Sequence, residues 1–339
     1  MKRLRVLLLM HPTLVPPDDA ANYSEAESYE WKTEWDVLSA LRDLGHEVRV
    51  LGVQYELLPI RDAIEEWKPH VVFNLLEEFH GIAEFDSHVA GYLELLRIPY
   101  TGCNPRGLVL ARGKALSKKL LFYHRIKVPA FAVVPRGRRA RRTRGLDYPL
   151  IVKSLTEEAS LGISQASVVD SDAKLDDRVR FIHASIGSDA IIEQFISGRE
   201  IYVGVLGNHR LQTLPVWELS FENLPRGRPA IATARVKHNV AYQEKAGILQ
   251  GPAHDLSEEQ TAHIIRITKR AYKVLELDGY GRIDYRMTED GELYFLEANP
   301  NPDIAKTNEF ASAAAEIGID YPGLIQKILN LARQRARRE

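Results

Sequence analysis

A single cysteine, Cys103, stands among 339 residues that also hold only three methionines and four tryptophans. One thiol excludes an intramolecular disulfide and any cysteine-built metal site, and it points to a reducing, cytoplasmic setting. Long apolar runs are missing too: no stretch approaches the ~20 residues needed to cross a bilayer. "MKRLRVLLLM" starts like a secretory leader, but its apolar run is short and continues into "HPTLVPPDD" without a small-residue cleavage site, so it reads as a buried first strand. Neither sign of charge is in excess, since the net charge is -1 with 27% charged residues, and composition implies no polyanionic partner. There is no internal repeat. One biased stretch, "RGRRARRTRG" at 136–145, lacks interleaved aromatics and reads as an exposed loop in preference to a nucleic-acid site. The basic end, "ARQRARRE", reads as a solvated helix terminus with favourable charge.

What is present is enough apolar sequence for two or three subdomains, with 45% hydrophobic residues in a chain longer than one average domain. The first third alternates strand and helix: "RVLLLM", helical "EWDVLSALRDLG", "EVRVLGV", a helix from about Leu58 to Trp67, "HVVFNLL", and helical "FDSHVAGYLELLRI". Such alternation predicts a doubly wound parallel sheet, with its ligand edge around residues 11–30 and 74–86. A second unit follows, with helix "GKALSKKLLFYHR", strands "AFAVV", "PLIVKS", "SQASVV" and "AIIEQF", and helix "KLDDRVRFIHAS". The third holds "EIYVGVLG", "LQTLPVWEL", a polar segment through Lys245, a helix at "SEEQTAHIIRITKRAYKVLE", a two-stranded ribbon, and a closing helix at "YPGLIQKILNLARQRA". The expected units are 1–103, 104–193 and 194–339.

The ribbon, "GRIDYRMTEDGELYFLEANPNPD" at 281–303, mixes charge with strand-like alternation. A two-residue turn at Asp290-Gly291 predicts an apolar face of Ile283, Tyr285 and Met287 against Ala298, Leu296 and Tyr294. On the other face Asp284 opposes Glu297 and Arg282 opposes Asn299, with directly opposed Cβ atoms ~5 Å apart. Two like charges that close are unfavourable unless a cation lies between them. Asp, Glu and Asn oxygens are hard ligands of the kind that suits Mg²⁺ held together with phosphates, and Arg282 has the geometry to bind a phosphate oxygen. A solvated face of mutually paired charges is the plainer alternative.

Other residues carry weaker signals. Lys153 ends an apolar strand and precedes a loop with Ser160 and Gly162, where a phosphate would answer its charge and free N–H groups would wrap it. Lys114 by itself reads as a surface helical lysine. Glu193 and Glu200 bracket "EQFISGRE"; Glu193 is either an acceptor for an amine or sugar hydroxyl or a strand-end carboxylate in water.

The order Lys114, "IVKS", "IIEQFISGRE", Lys237, "GYGRIDYR" and "YFLEANPNP" resembles the ATP-grasp superfamily, and within it the D-alanine–D-alanine ligases. The resemblance spans nearly the whole chain. It implies an α/β fold of three subdomains clamping ATP. The implied enzyme is an ADP-forming ligase that phosphorylates a small carboxylate and lets an amine attack the acyl phosphate. By matching position, Lys114 and Lys153 would contact phosphates and the nucleotide edge. Glu193, Gln194, Phe195 and Ile196 would line the adenine pocket, with Glu200 on the ribose. Asp284, Glu297 and Asn299 would hold two Mg²⁺ ions, for which Mn²⁺ can substitute. Arg282 would stabilise charge in transfer, and Lys237, on a loop, would reach the transferring phosphate. A homodimer is implied by the family alone; neither a nucleic-acid nor a membrane partner is expected.

The pattern also breaks. The ligases have a serine where this chain has Ala159 and a tyrosine where it has His238. They have a glycine and a Ser-Leu pair where it has Asp303, Asn308 and Glu309. Added negative charge where an acceptor carboxylate should bind favours a different, cationic or neutral amine. The alternatives are a true D-alanine–D-alanine ligase and a non-catalytic nucleotide-binding regulator. The long amino-terminal loop offers Glu27 among several acids for a substrate ammonium. His80 and Glu84, with Asp86, resemble a family segment near that site, although Asp86 could equally cap the following helix.

Overall fold

In a computed structural model of the chain, the described residues are 2–24, 29–156, 163–221, 223, 229–231 and 247–336. Three sheets organise them. The first is parallel, in the order β2-β1-β3, from β1 (Arg5–Met10), β2 (Glu47–Gly52) and β3 (Val71–Asn74). Helices α1 (Lys32–Asp43), α2 (Leu58–Trp67) and α3 (Asp86–Leu95) connect and flank it. Successive β1 residues feed opposite cores, Leu7 and Leu9 on one side and Val6, Leu8 and Met10 on the other, as both-face burial of a parallel strand requires.

Helices α4 (Pro105–Arg112) and α5 (Lys114–Tyr123) come next. The second sheet has the order β4-β7-β5-β6 and is built from β4 (Phe131–Val134), β5 (Leu150–Ser154), β6 (Val168–Val169) and β7 (Ala190–Gln194). With α6 (Asp172–Phe181) it encloses a small core of its own around Leu150, Val152, Val179 and Ile192. The third sheet, antiparallel, runs β10-β9-β8-β11-β12. Its strands are β8 (Arg199–Leu206), β9 (Gln212–Phe221), β10 (Ile248–Pro252), β11 (Tyr280–Met287) and β12 (Leu293–Asn299). Helix α7 (Glu258–Val274) starts with a capping box between Ser257 and Gln260, and α8 (Glu309–Ala315) and α9 (Tyr321–Arg335) close the chain.

Helices α4 and α5 pack on β12, and α9 packs on α1 and β3, so contacts run between the expected units. Some expectations need correction. "SQASVV" is mostly a single helical turn, Gln165–Ser167, leaving a two-residue strand. The basic end is not wholly solvated, because Arg335 donates to Asp278, Gly102 O and Tyr100 O. The hairpin turn holds three residues, Glu289, Asp290 and Gly291, with Gly291 at φ 78°. Tyr285 therefore pairs with Phe295 and Met287 with Leu293, in place of Leu296 and Tyr294. A bulge between Asp284 and Tyr285 then restores the expected register, so that Asp284 opposes Glu297 and Arg282 opposes Asn299.

Candidate active site

A cleft opens between the second and third sheets. One wall comes from β5, β7 and the residues after β7: Ile151, Lys153, Glu193, Gln194, Phe195 and Ile196. The other comes from β8, β11 and β12, with Glu200, Asp284, Arg286, Leu296 and Glu297, while Ile163 and Ile231 lie along its edges. Its mixture of apolar walls with a few convergent charges fits a small-molecule site.

Glu193 is not a strand-end carboxylate in water. It is fully buried, with Lys118 Nζ 2.9 Å from Oε1 and Lys153 Nζ 3.1 Å from Oε2. Burial alone would raise its pKa, but the two ammonium groups hold it down at about 2. Burial likewise pulls Lys118 down against the pull of Glu193. At Lys153 burial is outweighed by Glu193 and Glu297, and the pKa rises. Lys153 is thus a permanent cation at the cleft wall.

Around the ribbon, Arg282 is buried and fully engaged. Its Nε and Nη2 donate to Asp284 at 2.8 and 2.9 Å, its Nη1 donates to Glu309 at 2.5 Å, and its guanidinium lies 4.9 Å from the Tyr202 ring centre. Although burial opposes the charge, Asp284 and Glu309 push the guanidinium pKa well up. Asn299 Nδ2 donates to Asp284 at 3.0 Å. Two cross-strand carboxylates and an amide form a hard oxygen donor set that fits Mg²⁺; ligation would use the Asn299 Oδ1. Glu200 is held by Arg286 at 2.7 Å and by the Tyr202 hydroxyl at 2.7 Å. Arg286 also donates to Gly198 O and Ala230 O.

Of the other expected residues, Lys114 is buried at the start of α5 and does not line the cleft. Asp303 accepts from the Thr33 hydroxyl and the Ala305 N–H, both at 2.8 Å, and from Asn308 Nδ2. His80 is exposed with φ 59°, edge-on to Tyr55 and Phe79, and neither it nor Glu84 lines the cleft. Asp86 makes no cap; it pairs with Arg112 at 2.5 Å. Glu27, Ser160, Gly162 and Lys237, with Ala159 and His238, lie outside the described residues.

The sequence reading passed over Lys118, Arg286 and Glu34. Lys118 stands one helical turn after Lys114, and Arg286 continues the alternation Arg282, Asp284, so both had a periodic signal. Glu34 had none. It is 6% exposed on α1, and burial, aided by Glu77 and Asp303, lifts its pKa to about 8.

Residues 123–330 match the sequence family described as D-ala D-ala ligase C-terminus. A D-alanine–D-alanine ligase of Nitratidesulfovibrio vulgaris is 33% identical over 309 residues, spanning 89% of this chain and 95% of that protein. An uncharacterized protein of Sinorhizobium fredii, y4sG, is 31% identical over 308 residues, covering 88% and 87%. In three dimensions the chain superimposes on a D-alanine–D-alanine ligase from Bacillus anthracis complexed with ATP, with a TM-score of 0.74, 21% identity and 99% coverage of both chains. The fold is the α/β, three-sheet ATP-grasp architecture.

Proposed function

Because the chain belongs to the D-alanine–D-alanine ligase family, we propose that it is an ADP-forming, Mg²⁺-dependent ligase joining a small carboxylate to an amine. The observation that carries this reading is the pairing of Asp284 with Glu297, beside Arg282 and Asn299, in a cleft that also presents Lys153. A carboxylate oxygen of the first substrate attacks the γ-phosphorus of ATP and releases ADP. The amine of the second substrate then attacks the acyl carbon, and phosphate and a proton leave.

In this scheme residues 193–196, with Ile151, Ile163, Ile231 and Leu296, sandwich the base, and Glu200 faces the sugar. Lys153 holds phosphate oxygens; its charge needs no proton from solvent, being fixed by Glu193 and Glu297. Asp284, Glu297 and Asn299 hold Mg²⁺, which when bound neutralises phosphate charge. Arg282, locked by Asp284 and Glu309, is a preorganised donor for charge that develops in transfer. Lys114, Lys237 and the loop with Ser160 and Gly162 take the family's phosphate-binding roles.

D-alanine is the first substrate to test. Of the two acids whose charge argued for another acceptor, Glu309 is neutralised inside the protein by Arg282, while Asp303 is turned onto the neutral Thr33 and Asn308 and keeps its charge. One of the two objections to an acceptor carboxylate is thereby removed. A different amine remains a second reading, favoured by Asp303 standing where the family has glycine.

Phosphate release from ATP and Mg²⁺ should appear with D-alanine, or with one pair in a panel of amino acids and amines, and mass spectrometry identifies the amide. Asp284→Asn should lower turnover by roughly 10³-fold. An Asp284→Asn enzyme with near-normal turnover would sink the metal assignment.

A further inference from the structure

We propose that Lys118 is a positioning residue for the metal pair: its ammonium pins the bulge at Leu296 and so keeps the Glu297 carboxylate on the cleft face of the ribbon. The proposal rests on the reading of Asp284 and Glu297 as Mg²⁺ ligands, and adds a residue that touches neither metal nor substrate.

The three-residue turn sets the ladder that leaves it, pairing Met287 with Leu293 and Tyr285 with Phe295. Continued unbroken, that register would place Leu296 opposite Asp284. Glu297 would then oppose Ile283, which is fully buried in the core, because a one-residue slip turns every side chain to the other face. The bulge absorbs Leu296 and brings Glu297 back to Asp284. A bulged residue leaves the ladder, and its carbonyl then needs another donor. Lys118 Nζ supplies it, 2.5 Å from Leu296 O.

This donor is committed to the task. Lys118 is fully buried, its charge is answered by Glu193 at 2.9 Å, and its Nζ lies 5.7 Å from the centre of the Phe295 ring. β12 is an edge strand, and on its outer side Phe295 N–H bonds to Lys127 O at 2.9 Å, just beyond α5. Two successive residues of β12 are therefore tied to the segment 118–127, which does for this edge what a further strand would do. Lys118 also touches both walls of the cleft, the Glu193 wall and the Glu297 wall, so the metal face is registered against the nucleotide face.

The test compares Lys118→Met, Glu297→Gln and the unaltered chain by Mn²⁺ titration in saturating ADP, reading free Mn²⁺ by electron paramagnetic resonance. ADP affinity is measured separately in EDTA. Lys118→Met should weaken Mn²⁺ about tenfold or more, as loss of a group that orients a metal ligand does, with ADP affinity in EDTA changed by less than about threefold. Lys118→Arg, which keeps a donor, should recover much of the Mn²⁺ affinity. Unchanged Mn²⁺ affinity in Lys118→Met beside a loss in Glu297→Gln overturns the role of Lys118 and leaves the metal reading intact. Unchanged affinity in Glu297→Gln overturns the metal reading and this proposal with it. Hydrogen exchange gives a readout independent of metal: the amides of residues 295–298 should exchange faster in Lys118→Met, and equal rates overturn the pin. If Lys118→Met does not fold, Lys118→Gln, neutral and too short to reach, is read in its place.

Discussion

At Glu34 and Glu193 the same kind of side chain meets opposite surroundings. Both are buried, but Glu193 has two ammonium partners while Glu34 has Glu77 and Asp303 as neighbours, so one pKa falls to about 2 and the other rises to about 8. Between the ordinary carboxylate range and pH 8, folded Glu34 keeps a proton that the unfolded chain has released. The folded state then binds more protons, and stability falls as pH rises through that window; below about pH 4.5 the group contributes nothing. Over the whole window the loss is on the order of a few kcal/mol. Glu34→Gln removes the titration, so it should match the unaltered protein in urea unfolding at pH 4.5 and exceed it by roughly 2–4 kcal/mol at pH 8.5. Identical pH slopes would show that Glu34 ionises freely in the fold. Glu193 behaves in the opposite sense: its contribution is present above the ordinary carboxylate range and is lost only as pH falls toward about 2.

Between β11 and β12 the turn chemistry decides what the ribbon presents. Gly291 sits at φ 78°, and a Cβ there would meet only Gln260 Nε2 at 3.5 Å, so conformation and not crowding demands glycine. Gly291→Ala should cost about 1–2 kcal/mol in thermal or urea unfolding, and Gly291→Asn distinctly less, because asparagine tolerates the left-handed region. Equal losses for both would point to space as the constraint. The sequence alternation Arg282, Asp284 against Glu297, Asn299 was legible because polar residues recur at every second position. Turn length was not, since Asp290-Gly291 is compatible with a two-residue turn or with the end of a three-residue one. The two departures cancel: a longer turn shifts the ladder by one residue and the bulge shifts it back. Alternation was thus a sound guide to Asp284 and Glu297 but misplaced Leu296, which leaves the core face and lines the cleft. β10 escaped the sequence reading because "ILQGP" carries a glycine and a proline, which strands usually exclude. Lys118 escaped for a different reason, and so did the burial of Glu193, although Glu193 itself was a candidate: burial of a charge depends on which distant element answers it.

Across the whole molecule, the two larger cores each draw on distant segments, while the second sheet's core comes from residues 132–192 alone, and Arg335 shows how the last helix is tied to the first third of the chain. Its guanidinium stacks on Tyr100, 4.0 Å from the ring centre, and donates to Tyr100 O at 2.7 Å, Gly102 O at 3.0 Å and Asp278 at 2.9 Å. Asp278 in turn accepts from the Asn104 N–H at 2.8 Å. One side chain thereby joins the end of α9, the segment after α3 and the entry to β11. In sequence it is one arginine among several in a basic run, and only its position on the buried face of α9 separates it from its neighbours. Removing it strips a nearly buried carboxylate of its partner and leaves two carbonyls short of a donor. Arg335→Ala should therefore cost roughly 3 kcal/mol of global stability. Arg335→Lys should restore less than half of that, since an ammonium cannot fork to three acceptors while stacking on a ring. Arg333→Ala, on the same turn but with none of these contacts, should stay within about 0.5 kcal/mol of the unaltered protein. Urea unfolding followed by tryptophan fluorescence distinguishes the three variants. If Arg335→Ala proves as mild as Arg333→Ala, the terminal helix is held by its apolar face on α1 and β3 alone, and the clamp at residues 100–104 and 278 adds nothing to the stability of the assembled cores.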